Sequence, residues 1–237
     1  MKTTAYCAIG AIVLSTSLAD AALVGLHVEQ HAIDMNGYTP GAGTTTWRLY
    51  AEFDDPNDQL TNVGGSPGAG GVIIGDPNLG FYQNVFGGSF STQINPILYG
   101  VFPSLGFDSW VTIGAEDQTQ NNMVNSGFDT TSFDAGGNLY VPNGSWDLAM
   151  NDPNAFGDVL PGMSNYQVLV GQFTVWGYGA STAPWGYLNL SGFSSGFTPG
   201  EPVPWSVEGV TFGVPAPGAL ALLGLAGIAG RRRRRRD

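Results

Sequence analysis

Residues 166–176 read YQVLVGQFTVW, a run of β-branched and aromatic side chains with no proline and no helical period. Such side chains pack well on a pleated surface and lose χ1 freedom in a helix, so the run predicts a long strand. Residues 45–53 alternate: Trp47, Leu49, Ala51 and Phe53 fall on one face, Thr46, Arg48, Tyr50 and Glu52 on the other. That is the period of two expected of a strand with one face on a core. Segments 110–115, 186–190 and 205–212 have the same character, and 23–35 and 71–75 are further candidates. Turn formers separate them: Asn36-Gly37, Gly64-Gly65, Ser66-Pro67-Gly68, Gly87-Gly88, Gly136-Gly137 and Asn143-Gly144. Eight or more short strands punctuated in this way predict an all-β fold, an antiparallel β-sandwich of jelly-roll-like form. One domain is expected over residues 22–213, enough chain for a single sizeable core. The Pro/Gly-rich stretch 200–204 reads as a connection inside it.

The two ends differ from this middle. Met1-Lys2 gives a positive start, residues 5–18 are largely apolar, and Ala19-Asp20-Ala21 precedes Ala22. This is the pattern of a secretory signal peptide over residues 1–21, with Ala19 and Ala21 filling the shallow pockets of signal peptidase and Ala22 starting the mature chain. Export through the secretory translocon follows. At the other end, residues 214–237 run from Pro215-Ala216-Pro217 through an apolar stretch, 218–230, to Arg231, Arg232, Arg233, Arg234, Arg235 and Arg236. An apolar stretch closed by cations enters a bilayer and stops with its charges on the cytoplasmic side. Thirteen residues make a helix of about 20 Å against a hydrocarbon core of about 30 Å, which suits a transient anchor better than a permanent one.

In its order of parts, this tail resembles the PEP-CTERM sorting signal of Gram-negative bacteria, with alanine where the family has glutamate between the prolines. The resemblance covers about a tenth of the chain. It implies recognition at Pro215, Ala216 and Pro217 by an exosortase-type transpeptidase, removal of the apolar and arginine-rich remnant, and delivery to the cell surface or exopolysaccharide. A plain C-terminal anchor and a nucleic-acid patch are the competing readings of the arginines. Residues 53–60, 81–88 and 108–114 loosely resemble stretches of secreted proteins bearing the same tail, and bring no activity with them.

Between the two ends the charge is one-sided. Setting aside Asp20 and Asp237 leaves 17 of the 19 acidic residues, and setting aside Lys2 and the six terminal arginines leaves Arg48 alone of the 8 basic ones. The domain thus carries a formal charge of −16. It lacks the basic patch that drives nucleic-acid binding, and anionic membrane surfaces repel it. Cys7, the only cysteine, lies in the signal peptide, so no disulfide forms within the exported part.

Candidate chemistry is sparse. His27, Glu29 and His31 stand in the order H-x-E-x-H, which on a strand puts three side chains on one face, either a two-His-one-carboxylate metal site or an ordinary solvated face. The triplet Asp-Pro-Asn occurs at Asp55-Pro56-Asn57, Asp76-Pro77-Asn78 and Asp152-Pro153-Asn154. Asp54, Asp55, Asn57 and Asp58 crowd oxygen ligands into one loop, and Asp152, Asn154 and Asp158 into another, so calcium and capped turns are the two readings of each. A serine triad needs a histidine base, and both histidines lie close to the mature N-terminus. No catalytic residue is assigned. Trp110, Trp146, Trp176, Trp185 and Trp205 either fill the core or present a platform for sugar rings. The expectation is an exported, noncatalytic protein of the cell surface or exopolysaccharide matrix, held in the inner membrane by its C-terminal segment before processing. The alternatives are a carbohydrate-active enzyme of glycoside-hydrolase type and a carbohydrate-binding module.

Overall fold

The structure is a computed structural model describing residues 23–35, 37–40, 43–65, 68, 70–75, 80–127, 129–176, 183–195 and 201–213. Ala19, Ala21 and Ala22, Pro215 to Pro217, the six terminal arginines and Asp76-Pro77-Asn78 lie outside the described residues. Among the described residues twelve strands occur in chain order: β1 (Leu23–His31), β2 (Thr44–Phe53), β3 (Gln59–Gly65), β4 (Val72–Gly75), β5 (Trp110–Val111) and β6 (Val124–Ser126), then β7 (Leu139–Val141), β8 (Gly144–Asp147), β9 (Asp158–Val159), β10 (Tyr166–Trp176), β11 (Trp185–Ser195) and β12 (Pro202–Phe212). The one α-helix among the described residues is a single turn at Thr131–Asp134. No helix among the described residues is long and apolar enough to cross a membrane.

The strands form two sheets, and every pairing between named strands is antiparallel. Sheet A runs β1-β2-β10-β5, with β9 also on β10; sheet B runs β6-β8-β3-β11-β4-β7, with β12 on β11. One hydrophobic cluster joins them. Leu49, Ala51, Phe53, Val168 and Phe173 come to it from sheet A, and Leu60, Val63, Ile74, Leu139, Trp146, Leu188 and Leu190 from sheet B. Phe53 and Trp205 meet across it with ring centroids 5.7 Å apart. Burial of this kind stabilises by about 25 cal/mol per Å² of apolar surface removed from water, and a chain with a single cysteine cannot add a disulfide within itself.

Sheet A is buried on its second face too. Three 3-10 turns, at Ser91–Gln93, Pro96–Gly100 and Pro103–Phe107, lie in the long crossing between β4 and β5. Ile94 and Leu105 from this crossing pack with Tyr50, Trp110 and Leu169 into a second, smaller cluster. The turns follow their sequence: Pro96 and Pro103 each open one, and the Asn95 side chain caps the middle one by accepting from the Ile97 amide.

Four expectations shift. The strand expected over 23–35 ends at His31, and Met35 instead packs against Gly106 of the covering crossing. Only Trp110 and Val111 of 110–115 pair as a strand; beyond them the Thr112 hydroxyl bonds back to the Ala115 carbonyl and Gly114 takes φ +74°. Gly64 and Gly65, read as a turn, end β3 opposite Ser145 and Gly144, where a side chain on Gly65 would strike the Val141 carbonyl. Finally, 202–204 are strand rather than connection. Pro202 and Pro204 sit on β12, which among the described strands pairs with β11 alone, and such an edge position does not need their missing amide protons.

Candidate functional site

The alternation in β2 puts Thr46, Arg48 and Tyr50 on the covered face of sheet A. Each is buried, Arg48 at 9 % exposure. The antiparallel register sets His27, Glu29 and His31 of β1 opposite Tyr50, Arg48 and Thr46, and Leu169, Gln172 and Thr174 of β10 opposite the same three. The sequence expectation that the H-x-E-x-H side chains share a face therefore holds in the register. They do not gather into a metal site. His27 Nε2 stands 3.9 Å from Glu29 Oε2, and no group of three or more His, Cys, Asp or Glu among the described residues is placed to hold a metal ion.

Arg48 organises this face instead. Its two terminal nitrogens donate to the two carboxylate oxygens of Glu116, both at 2.7 Å, and its Nε donates to Gln172 Oε1 at 3.3 Å. Gln172 in turn donates to the carbonyls of Gly106 and Asp108, tying sheet to covering layer. Burial opposes the guanidinium charge, but Glu116 outweighs it and holds the Arg48 pKa above its ordinary value. The same pair holds the Glu116 carboxyl below its ordinary range, although its side chain is 59 % exposed. Burial and the neighbouring Arg48 charge lower His31. Burial pushes the Tyr50 phenol up to about 12, with Arg48 pulling the other way.

A cleft of about 160 Å³ opens beside this pair. Its polar wall is Arg48, Tyr50, Glu116, Asn154, Asp158 and Gln167; Phe156, Leu160 and Leu169 form an apolar one. Glycine is required at 114, where φ is +74° and a β-carbon would lie 1.9 Å from the Asn154 carbonyl oxygen. That close approach brings the 3-10 turn at Pro153–Ala155 against the covering segment and closes the cleft on one side.

Asp108 is a second buried acid in the covering layer. Its carboxylate accepts from the backbone amides of Asn84 at 2.6 Å and Gly88 at 3.0 Å. Burial pushes its pKa up to about 7 against these bonds, with Asp134 adding to the rise. It is wholly inaccessible and does not line the cleft.

The outer face of sheet B is different in kind. A shallow groove of about 390 Å³ runs over it, lined by Asn62, Ser145, Asn189, Ser191, Ser206 and Glu208 among others. Three of them are held by bonds within the fold: Asn62 and Ser145 both donate to Asp147, and Asn189 donates to the carbonyls of Gly64 and Gly70.

The two oxygen-rich loops use their side chains as turn caps. Asp55 Oδ1 accepts from the amide and the side-chain nitrogen of Asn57, while Asp58 is buried beside them and Asp54 is exposed. Asp152 Oδ1 accepts from the Asn154 amide, and its Oδ2 from the Asn122 side chain. Asp158 sits on β9, exposed, and faces the cleft rather than that cap. The four of these tryptophans whose side chains are described form no exposed platform. Trp110, Trp146 and Trp205 are buried, Trp146 donating to the Thr112 carbonyl, and Trp185 is half-buried against Gly75. Trp176 pairs through its backbone with Thr44.

Sequence reasoning missed Glu116 and Gln167. The available signal was Arg48 itself, since the one arginine or lysine of an acidic domain, placed on a buried strand, calls for a carboxylate partner. Set against protein-family models, curated proteins and solved structures, the chain finds no match.

Proposed function

We propose that the chain is an exported, noncatalytic protein of the cell surface or exopolysaccharide matrix, built as a jelly-roll-like sandwich and delivered by its C-terminal sorting signal. The observation that carries this reading is the sequence of the tail: Pro215-Ala216-Pro217, an apolar stretch too short for a comfortable span, then six arginines. The domain in front of it suits the destination. It is acidic, its stability rests on packing rather than disulfides, and its sheet B face offers amide, hydroxyl and carboxylate groups to a hydrated matrix. Asp108, whose carboxyl burial pushes up to about 7, is sealed beneath the covering layer and does not itself reach a substrate as a general acid.

Intact-mass measurement of the protein recovered from the cell surface tests this reading. The expected chain begins at Ala22 and ends near Pro215, Ala216 and Pro217. A surface chain that retains Arg231 to Arg236 rejects processing and leaves a plain anchor. Replacing the six arginines with serine is expected to leave the chain unprocessed or misrouted.

A further inference from the structure

We infer that the layer covering sheet A carries a self-association surface, an uncharged apolar patch on which a second copy of this chain docks through the same patch. Residues 77–107 contain no Asp, Glu, Lys, Arg or His, within a domain of formal charge −16. Four of the eleven exposed large hydrophobic side chains among the described residues lie in this stretch: Val85 at 91 % exposure, Ile97 at 82 %, Val101 at 70 % and Phe86 at 45 %. They are neighbours. Phe86 stacks on Phe102 with ring centroids 3.9 Å apart, Val85 and Val101 adjoin that pair in the chain, and Ile97 lies in the turn Pro96–Gly100 just before it. Leu98 and Tyr99 of the same turn pack inward on the second cluster, so the core accounts for them and not for Ile97.

The patch is held in place before any partner arrives. The loop bearing Val85 and Phe86 is pinned at both ends, since the buried Asp108 carboxylate accepts from the amides of Asn84 and Gly88. The Asn84 side chain accepts from the Phe86 amide at 3.0 Å and donates to Ser104, two residues from Phe102, at 2.8 Å. A surface ordered in advance loses little freedom on docking. Its chemistry selects the occupant. Without charge it offers nothing to an ionic partner, and the acidic domain around it repels anionic lipid. Two copies repel each other wherever their acids face, and a neutral face is where they can meet. A twofold axis sets such a patch against itself, apolar on apolar, with no second surface required. Five side chains are few against a standard interface of about 20–30 residues a side, so the contact is reversible and acts where copies are crowded.

Cysteine crosslinking of the full chain in intact cells tests this. In a Cys7→Ser background, Val101→Cys and Ile97→Cys each place one thiol on the patch, and Tyr140→Cys places one on sheet B, where Tyr140 is 55 % exposed. A short bismaleimide is expected to convert at least one of the two patch variants, and not the third, to a species of twice the chain's mass. Adding Val85→Asp is expected to reduce that species on the order of tenfold, as like charges set against each other in an interface do. All these side chains are exposed, so the variants leave the core untouched. Equal crosslinking at Tyr140, none at either patch position, or a yield that Val85→Asp leaves unchanged each overturns the proposal. Crosslinked masses that do not fit two copies replace the second copy with another protein. Flotation with phosphatidylcholine vesicles in place of crosslinking replaces it with a lipid surface. The readout is a pairing of chains wherever the tail is cut, so it stands or falls apart from the sorting reading.

Discussion

The outer faces of the two sheets carry similar residues and meet opposite fates. On sheet A, Thr46, Arg48 and Tyr50 alternate with core residues and are buried, Tyr50 beside Ile94 and Leu105 of the segment that carries the 3-10 turns between β4 and β5. On sheet B, Asn62 and Ser191 alternate with core residues just as regularly and line an open groove, and Tyr140, between the buried Leu139 and Val141, is 55 % exposed where Tyr50 is only 5 %. Period-two alternation thus says which side chains turn away from the shared core. It does not say what they meet there. The covering layer decides that, and the chemistry differs accordingly: buried charge on A, bonded amides and hydroxyls on B.

The two tyrosines give the sharpest way to break this comparison. Tyr50→Ala opens a cavity under Ile94 and Leu105 and is expected to cost about 3–5 kcal/mol in chemical denaturation. Tyr140→Ala is expected to cost less than about 1 kcal/mol. Similar losses at both positions would mean that sheet A is as open as sheet B.

The next largest effect concerns pH. The folded pKa of Asp108 is pushed up to about 7, above its unfolded value, so the folded state holds the proton more tightly. Its contribution to stability is therefore fully present below about pH 4 and is lost as pH rises through about 7, on the order of 2–4 kcal/mol in all. Glu116 has the opposite sign: its folded pKa is lowered, so its contribution is present above its unfolded pKa and lost as pH falls. Urea unfolding of Asp108→Asn between pH 4 and 7 is expected to lose most of the downward slope seen in the wild type. An unchanged slope would place that titration elsewhere. At the small end, Asn62→Ala and Ser191→Ala on the open face are expected to shift stability by no more than about 0.5 kcal/mol each in the same measurement.

Much of the fold was legible because long strands advertise themselves. The run at 166–176 is β10 residue for residue, and the faces of 45–53 divide in β2 as their alternation requires. Short strands were not legible. β6, β7 and β9 have two or three residues, too few to show a period, and exist because longer neighbours offer them hydrogen-bond partners. The covering crossing was opaque for another reason: Ile94, Leu98 and Leu105 are spaced by turns set by prolines rather than by any repeating period. The cleft was the least visible feature. Arg48, Glu116 and Gln167 are far apart in the chain and meet only when β2, β10 and the covering layer have assembled. Asp158 was visible as an oxygen ligand, but it serves a different surface from the Asp152 cap with which its sequence grouped it.

The central structural claim is that the covered face of sheet A is an interior in which Arg48 and Glu116 depend on each other. A double-mutant cycle with Arg48→Met and Glu116→Ala, read by urea unfolding, tests it most directly. Glu116→Ala alone strands a buried guanidinium and is expected to cost about 1–3 kcal/mol, a figure already reduced for the exposure of the carboxylate. Arg48→Met replaces the charge with an apolar chain of similar reach and is expected to cost less. The double variant should then be no worse than Arg48→Met, a coupling of at least about 1 kcal/mol. Two small losses that add within about 0.5 kcal/mol, as solvated surface pairs do, would contradict the account.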